Sequence, residues 1–262
     1  MPSPNEITPR QLLAQIGLPD APAIIDVCLD EDHACDPFVI PTARRLDHRH
    51  IDAIEGQLAG RASVIVCQKG RKLSQGVAAI LRERGLKSEV LQGGMVGWRE
   101  QPAQPAIASA KLPTSRLWVT RLRPKIDRIA TPWLIRRFID PDAQFLFVAR
   151  SEVMGVAERF GATPFDIEGA ALSHEGEFCT FDAVLSHFDL DIPALAEMAR
   201  VIRAADTDRH DLAPQAAGLL AISVGLSRQY RDDNDQLDAG LAIYDALFRW
   251  ARDARDEGHS WP

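Results

Sequence analysis

The chain has 262 residues, 46% hydrophobic and 26% charged, with a formal charge of -7, the balance of an ordinary globular protein with room for one large domain or two small ones. The acidic excess argues against direct binding of nucleic acid through a broad basic face, and no apolar run in the sequence is long enough to span a membrane. The stretch from Met1 to Glu6 lacks the basic start and apolar core of an export signal, and Cys28, Cys35, Cys67 and Cys179 are too scattered for a disulfide framework, so a cytoplasmic location with reduced thiols is expected.

Thr8-Pro9 ahead of Leu12, Leu13 and Ile16 reads as a capped helix, with Pro9 in the first turn and Gly17 as the stop. Ala23-Ile24-Ile25-Asp26-Val27 reads as a buried strand, Val64-Ile65-Val66 as a second and Val90-Leu91 as a third. From Ser74 to Arg84 the pattern turns helical, with Val77, Ile80 and Leu81 as the apolar side and Gly85 as the end. This alternation predicts a parallel sheet flanked by helices, with its site at the carboxyl ends of the strands. Cys67 stands at such an end, ahead of the turn Gln68-Lys69-Gly70-Arg71-Lys72. N–H groups at a helix start and nearby basic side chains both favour a thiolate there. The plainer alternative is an inert thiol that packs as a small hydrophobe.

Residues 101–110 are rich in Ala and Pro and read as part of a linker, giving domains at 1–102 and 116–262 with a connection over 103–115. Beyond it, Leu117-Trp118-Val119-Thr120 reads as a strand. Thr131-Pro132 opens a short helix that runs to Ile139, and Phe145-Leu146-Phe147-Val148 is a further strand. The last part is helix-rich, and Leu237, Leu241, Tyr244, Leu247, Phe248 and Ala251 share one face. The expected fold class is therefore an α/β N-terminal domain followed by a helix-rich α+β C-terminal domain. Arg121, Arg123, Lys125 and Arg128 crowd one segment, with Arg128 just ahead of the expected helix start, where free N–H groups add to anion affinity. The same arginines could instead pair with nearby carboxylates. His174 with Glu175, Glu177, Cys179 and Asp182 suggests a metal or redox cluster without the local spacing of a closed zinc site, which Asp127, Asp206 or His210 could complete.

Ile25-Asp26-Val27, Cys67 with Gly70, the helix that follows, and Leu91-Gln92-Gly93-Gly94 with Trp98 together resemble the rhodanese-like sulfurtransferases. The resemblance implies that Cys67 accepts a sulfane sulfur as a persulfide and passes it on. The loop Gln68, Lys69, Gly70, Arg71 and Lys72 would bind substrate, the partners would be a small sulfur donor and a thiol acceptor, and no cofactor would be required. Three departures stand out: Cys28 where the pattern has Arg after Asp-Val, Lys72 where it has a late-loop Arg, and a helix pattern that arrives one residue late. The last of these, the loop length, leaves open an oxyanion reductase that uses Cys67.

Trp118 to Arg121, Pro124 to Arg128, Thr131 to Pro141, Pro164 to Ile167, Ser173 to Glu177 and Cys179 to Asp182 resemble the C-terminal domain of the chromate-resistance protein B family. So do Ala204 to Thr207 and Leu212 to Leu220. That resemblance implies chromate or a similar oxyanion as ligand, with Arg121, Arg128 and His174 as candidate donors, and leaves room for a divalent metal. Members of that family often carry a different, DNA-associated N-terminal region. A non-enzymatic chromate-responsive regulator with a degenerate rhodanese domain is the reading of another class.

Overall fold

The computed structural model describes residues 4–258, so Met1 to Ser3, part of the stretch read for an export signal, lie outside the described residues. The chain divides into two compact units, Met1–Leu112 with Arg137–Ile139, and Pro113–Arg136 with Asp140–Pro262.

The first unit runs β1 (Glu6–Ile7), α1 (Pro9–Leu13), β2 (Ala23–Asp26), α2 (Asp30–Cys35), β3 (Phe38–Val39), β4 (Arg44–Arg45), α3 (Ile51–Leu58), β5 (Ser63–Val66), α4 (Lys72–Glu83), β6 (Ser88–Leu91), α5 (Gly94–Arg99) and β7 (Ile107–Ala108). Five strands form one parallel sheet in the order β1-β6-β5-β2-β4. β5 lies at its centre with all four residues buried, as a strand covered on both faces requires. Ile54, Leu58, Val77 and Leu81 from the flanking helices pack with Ile25, Ile65 and Val90 of the sheet. This is the helix-flanked parallel sheet that the alternation implied. Thr8 caps α1 reciprocally with Gln11. Gly85, at φ +83, ends α4 as its neighbour Leu86 donates to the Leu81 carbonyl. α4 begins two residues before Ser74, whose hydroxyl turns back to the Arg71 carbonyl at 3.2 Å.

The stretch expected as a linker is partly built into this unit. β7 pairs antiparallel with β3, and Ile107 is completely buried. Trp98, also buried, donates its indole N–H to the Pro105 carbonyl at 2.9 Å. Ser109 adds an N–H bond to the Pro37 carbonyl at 2.9 Å, and none of these contacts makes a periodic pattern in the sequence.

The second unit runs β8 (Leu117–Arg121), α6 (Asp127–Phe138), β9 (Gln144–Val148), α7 (Val153–Phe160), β10 (Thr163–Pro164), α8 (Thr180–His187), α9 (Pro193–Asp206), α10 (Ala216–Gln229) and α11 (Asp233–Arg249). It is helix-rich, with a small parallel sheet ordered β10-β8-β9. One element departs from expectation. α6 begins at Asp127, so Pro132 lies inside it and Thr131 is not its cap. Pro132 removes one helical hydrogen bond, and burial of Ile129, Ala130, Trp133 and Leu134 outweighs that loss. On α11 the predicted face is the buried one at Leu237, Tyr244 and Phe248, with Leu241 and Leu247 half-buried. Among the described residues no helix is long and apolar enough to cross a membrane.

Candidate functional site

Cys67 follows β5 directly and is 5% exposed. The loop after it leads into α4 at Lys72, with Lys69, Arg71 and Lys72 exposed. Two free N–H groups of α5 hold the loop backbone: Met95 donates to the Cys67 carbonyl and Val96 to the Gln68 carbonyl, each at 3.0 Å. The approach is close enough to exclude side chains. A Cβ on Gly94 would lie 2.1 Å from the Cys67 oxygen and 2.4 Å from the Gly70 nitrogen, and one on Gly70 would lie 2.6 Å from the Leu91 oxygen. Ser74 Oγ lies 3.1 Å from Cys67 Sγ. Its hydroxyl can accept from the thiol or donate to a thiolate.

At the end of the neighbouring strand β2, Cys28 takes the place of the familiar arginine. Its N–H donates to Asp26 Oδ1 at 2.8 Å. A guanidinium nevertheless reaches Asp26, from Arg45 on β4, at 3.3 Å, and the same side chain meets Asp30 at 2.9 Å. Burial first, then the charge of Asp26, pushes the Cys28 thiol up. Arg45 carries no signal in the sequence, because only the pairing of β2 with β4 brings it there.

In the second unit Arg121, Arg128 and His174 do come together, around Asp166. Arg121 Nη2 lies 2.8 Å and Arg128 Nε 3.0 Å from Asp166 Oδ2, and His174 Nε2 lies 3.3 Å from Oδ1. The anion these three cations hold is thus the protein's own. Burial works to raise the Asp166 carboxyl, but the hydrogen bonds from His174 and Arg121 and the guanidinium charges keep it below its usual value. Arg128 lies within α6, and its Nη1 donates to the Leu122 carbonyl at 2.8 Å. The expected placement of Arg128 ahead of the helix start is therefore corrected.

His174 Nε2 also faces Asp206 Oδ2 at 3.3 Å and Asp127 Oδ2 at 3.6 Å. Hydrogen bonds to Asp166 and Asp206 push the imidazole up to about 10, against its partial burial. Asp127 is 1% exposed and accepts from the N–H groups of Thr180 and Phe181, at 2.6 and 2.9 Å, at the start of α8. Burial, then the charges of Asp206 and Asp166, pushes its carboxyl up. Glu175 and Glu177 are exposed and His210 faces Asp208 at 3.7 Å, outside this cluster. Cys179 is buried at the N-cap of α8, and Asp182 pairs with Arg203 at 3.1 Å. The residue that sequence reasoning gave no role is Asp166. A lone carboxylate between Phe165 and Ile167 was its signal, since a buried charge needs partners.

A sequence model of the ChrB C-terminal domain matches residues 118–251, and the chain belongs to that family. Protein ChrB of Cupriavidus metallidurans is 29% identical over 195 residues, which are 68% of this chain and 59% of that protein. The chain therefore spans somewhat under two thirds of that relative's length. Among solved structures, a rhodanese-like domain protein from Staphylococcus aureus is 26% identical, with 36% of this chain and 90% of that chain covered and a TM-score of 0.32. A thiosulfate sulfurtransferase from Pseudomonas aeruginosa is 20% identical, with 40% and 19% covered and a TM-score of 0.33. A parallel sheet in the order β1-β6-β5-β2-β4 precedes the ChrB C-terminal domain in this chain.

Proposed function

We propose that the rhodanese-like unit of this ChrB-family chain is a sulfurtransferase with Cys67 as its nucleophile, and that its sulfur chemistry serves the response to chromate or a similar oxyanion. The observation that carries this reading is the loop itself. Cys67 directly follows a buried central strand, α4 begins five residues later, and Gly70 and Gly94 meet with no space for a Cβ. In the reaction the Cys67 thiolate attacks the outer sulfur of thiosulfate, the S–S bond breaks, and sulfite leaves with the bonding pair. A thiol acceptor then attacks the outer persulfide sulfur and restores the Cys67 thiolate. The Ser74 hydroxyl, 3.1 Å from Cys67 Sγ, donates to that thiolate by turning its proton away from the Arg71 carbonyl, and no cofactor enters the sequence of steps.

The test is intact-protein mass spectrometry after incubation with thiosulfate. Wild type is expected to gain the mass of one sulfur atom and to lose it on addition of a small thiol, whereas Cys67→Ser gains none. Equal labelling of both proteins would remove Cys67 from the reaction. A wild type that takes up no sulfur would favour the degenerate, non-enzymatic domain.

A further inference from the structure

We propose that Asp127, His174 and Asp206 bind a divalent first-row transition cation in the ChrB-type unit. The three residues come from separate elements: the first residue of α6, the loop ahead of α8, and the last residue of α9. One ligand atom from each lies within 4.8 Å of the other two. His174 Nε2 is 3.3 Å from Asp206 Oδ2 and 3.6 Å from Asp127 Oδ2. Bonds of about 2.0–2.2 Å at tetrahedral or octahedral angles put two ligands of one cation roughly 3.0–3.5 Å apart. The His174–Asp206 spacing falls in that range and the His174–Asp127 spacing just above it, so a small side-chain adjustment closes the three around one ion.

The charges point the same way. A single Nε2–H can satisfy one acceptor well, yet three carboxylate oxygens surround it within 3.6 Å. Asp166 has Arg121 and Arg128 to balance it. Asp127 has only neutral donors besides the imidazole. Asp206 pairs with His174 at 3.3 Å, and the charge of Arg128 reaches it only from beyond ion-pair distance. Asp127 and Asp206 together offer two negative charges to one small space, which a divalent cation balances with His174 neutral.

The surroundings suit a bound ion. Asp166 and Asp127 are tied together through Thr180, whose hydroxyl donates to Asp166 at 3.2 Å and whose N–H donates to Asp127 at 2.6 Å. Such a second layer fixes the orientation of ligands. The side chain of His174 is 39% exposed and that of Asp206 20%, so water can complete the coordination on the open side. One imidazole with two carboxylates favours Mn2+, Fe2+ or Zn2+ over Mg2+ and Ca2+, which prefer oxygen alone.

The experiment uses the full chain after chelator treatment. Mn2+ is titrated and followed by electron paramagnetic resonance, since Mn2+ avoids thiols, and Zn2+ and Mg2+ are compared by calorimetry. One equivalent of Mn2+ is expected to bind, Zn2+ to compete for it, and Mg2+ to bind more weakly. Asp206→Asn and His174→Ala, both partly exposed and so tolerant of change, should weaken Mn2+ at least about tenfold. Cys67→Ser should bind as wild type does. Absence of a stoichiometric Mn2+ site in wild type overturns the proposal. So does unchanged affinity in both cluster variants with circular dichroism intact, or loss of the site in Cys67→Ser.

Discussion

Gly94 stands where the α5 turn touches the Cys67 loop, at φ +60 with the Cys67 carbonyl 2.1 Å from where a Cβ would be. Gly94→Ala therefore meets both steric overlap and a left-handed backbone, and should cost about 2–5 kcal/mol in urea denaturation and abolish sulfur uptake. Ser74 is a gentler probe, because its hydroxyl touches Cys67 Sγ and the loop carbonyl of Arg71. Losing one hydrogen bond to a charged group is worth about 1.5–3 kcal/mol. Ser74→Ala should thus slow persulfide formation roughly ten- to hundredfold with the fold intact, and Ser74→Thr should restore most of the rate. Wild-type kinetics in Ser74→Ala would deny the hydroxyl a part. Cys28 behaves oppositely to a nucleophile, since burial and Asp26 push its thiol up. Exposed Cys35 should take iodoacetamide at mild alkaline pH while Cys28 does not. The linkage has a definite sign. Above a pH of about 8.5 the unfolded chain releases the Cys28 proton and the folded chain keeps it. Stability is lost from that pH upward, and Cys28→Ser should lessen the fall in denaturation midpoint between mild and strong alkali.

At the level of elements, the strands and helices that carry strong local signals stand where their residues put them. β5 is a buried strand carrying Val64, Ile65 and Val66, α1 has its Thr8–Gln11 box, and α4 has Gly85 at its end. The elements that depart are those decided by distant contacts. α6 takes in Pro132 because its buried side chains hold it, and β7 exists because Ile107 fills a buried position beside β3. The same division runs through the sites. Cys67 is readable from strand, turn and helix, whereas the ring of Asp127, Asp166 and Asp206 around His174 assembles residues up to 79 positions apart, counting 206 minus 127. β7 gives a direct check. Ile107→Ala should destabilise the first unit by about 2–5 kcal/mol, the usual cost of truncating a buried aliphatic side chain. A fragment that ends at Leu112 should melt well above one that ends at Pro102. Equal melting of the two fragments would return residues 103–112 to a linker.

On the scale of the whole molecule, acidic residues exceed basic ones and leave a charge of -7. A dianion such as chromate is repelled at long range by such a chain, so any affinity must come from a local donor set. In the second unit that set exists but is occupied. Arg121, Arg128 and His174 all meet Asp166, and the two arginines approach it within hydrogen-bonding distance. An oxyanion must compete with a carboxylate that is already buried and oriented, which predicts weak sulfate or chromate binding by wild type. Asp166→Asn keeps the shape and removes the competing charge. It should raise sulfate affinity, because two guanidinium groups then lack an anionic partner in a poorly solvated place. Adding Arg121→Ala to that variant should reverse the gain, with a loss on the order of 1.5–3 kcal/mol for one charge-assisted contact. The measurement is calorimetric titration of sulfate at fixed ionic strength, since salt screens exposed charges, with circular dichroism to establish that each variant is folded. A folded Asp166→Asn that binds sulfate no more tightly than wild type would mean that Arg121 and Arg128 serve only to hold β8 and α6 to the Asp166 turn. Oxyanion recognition would then have to be sought away from this cluster.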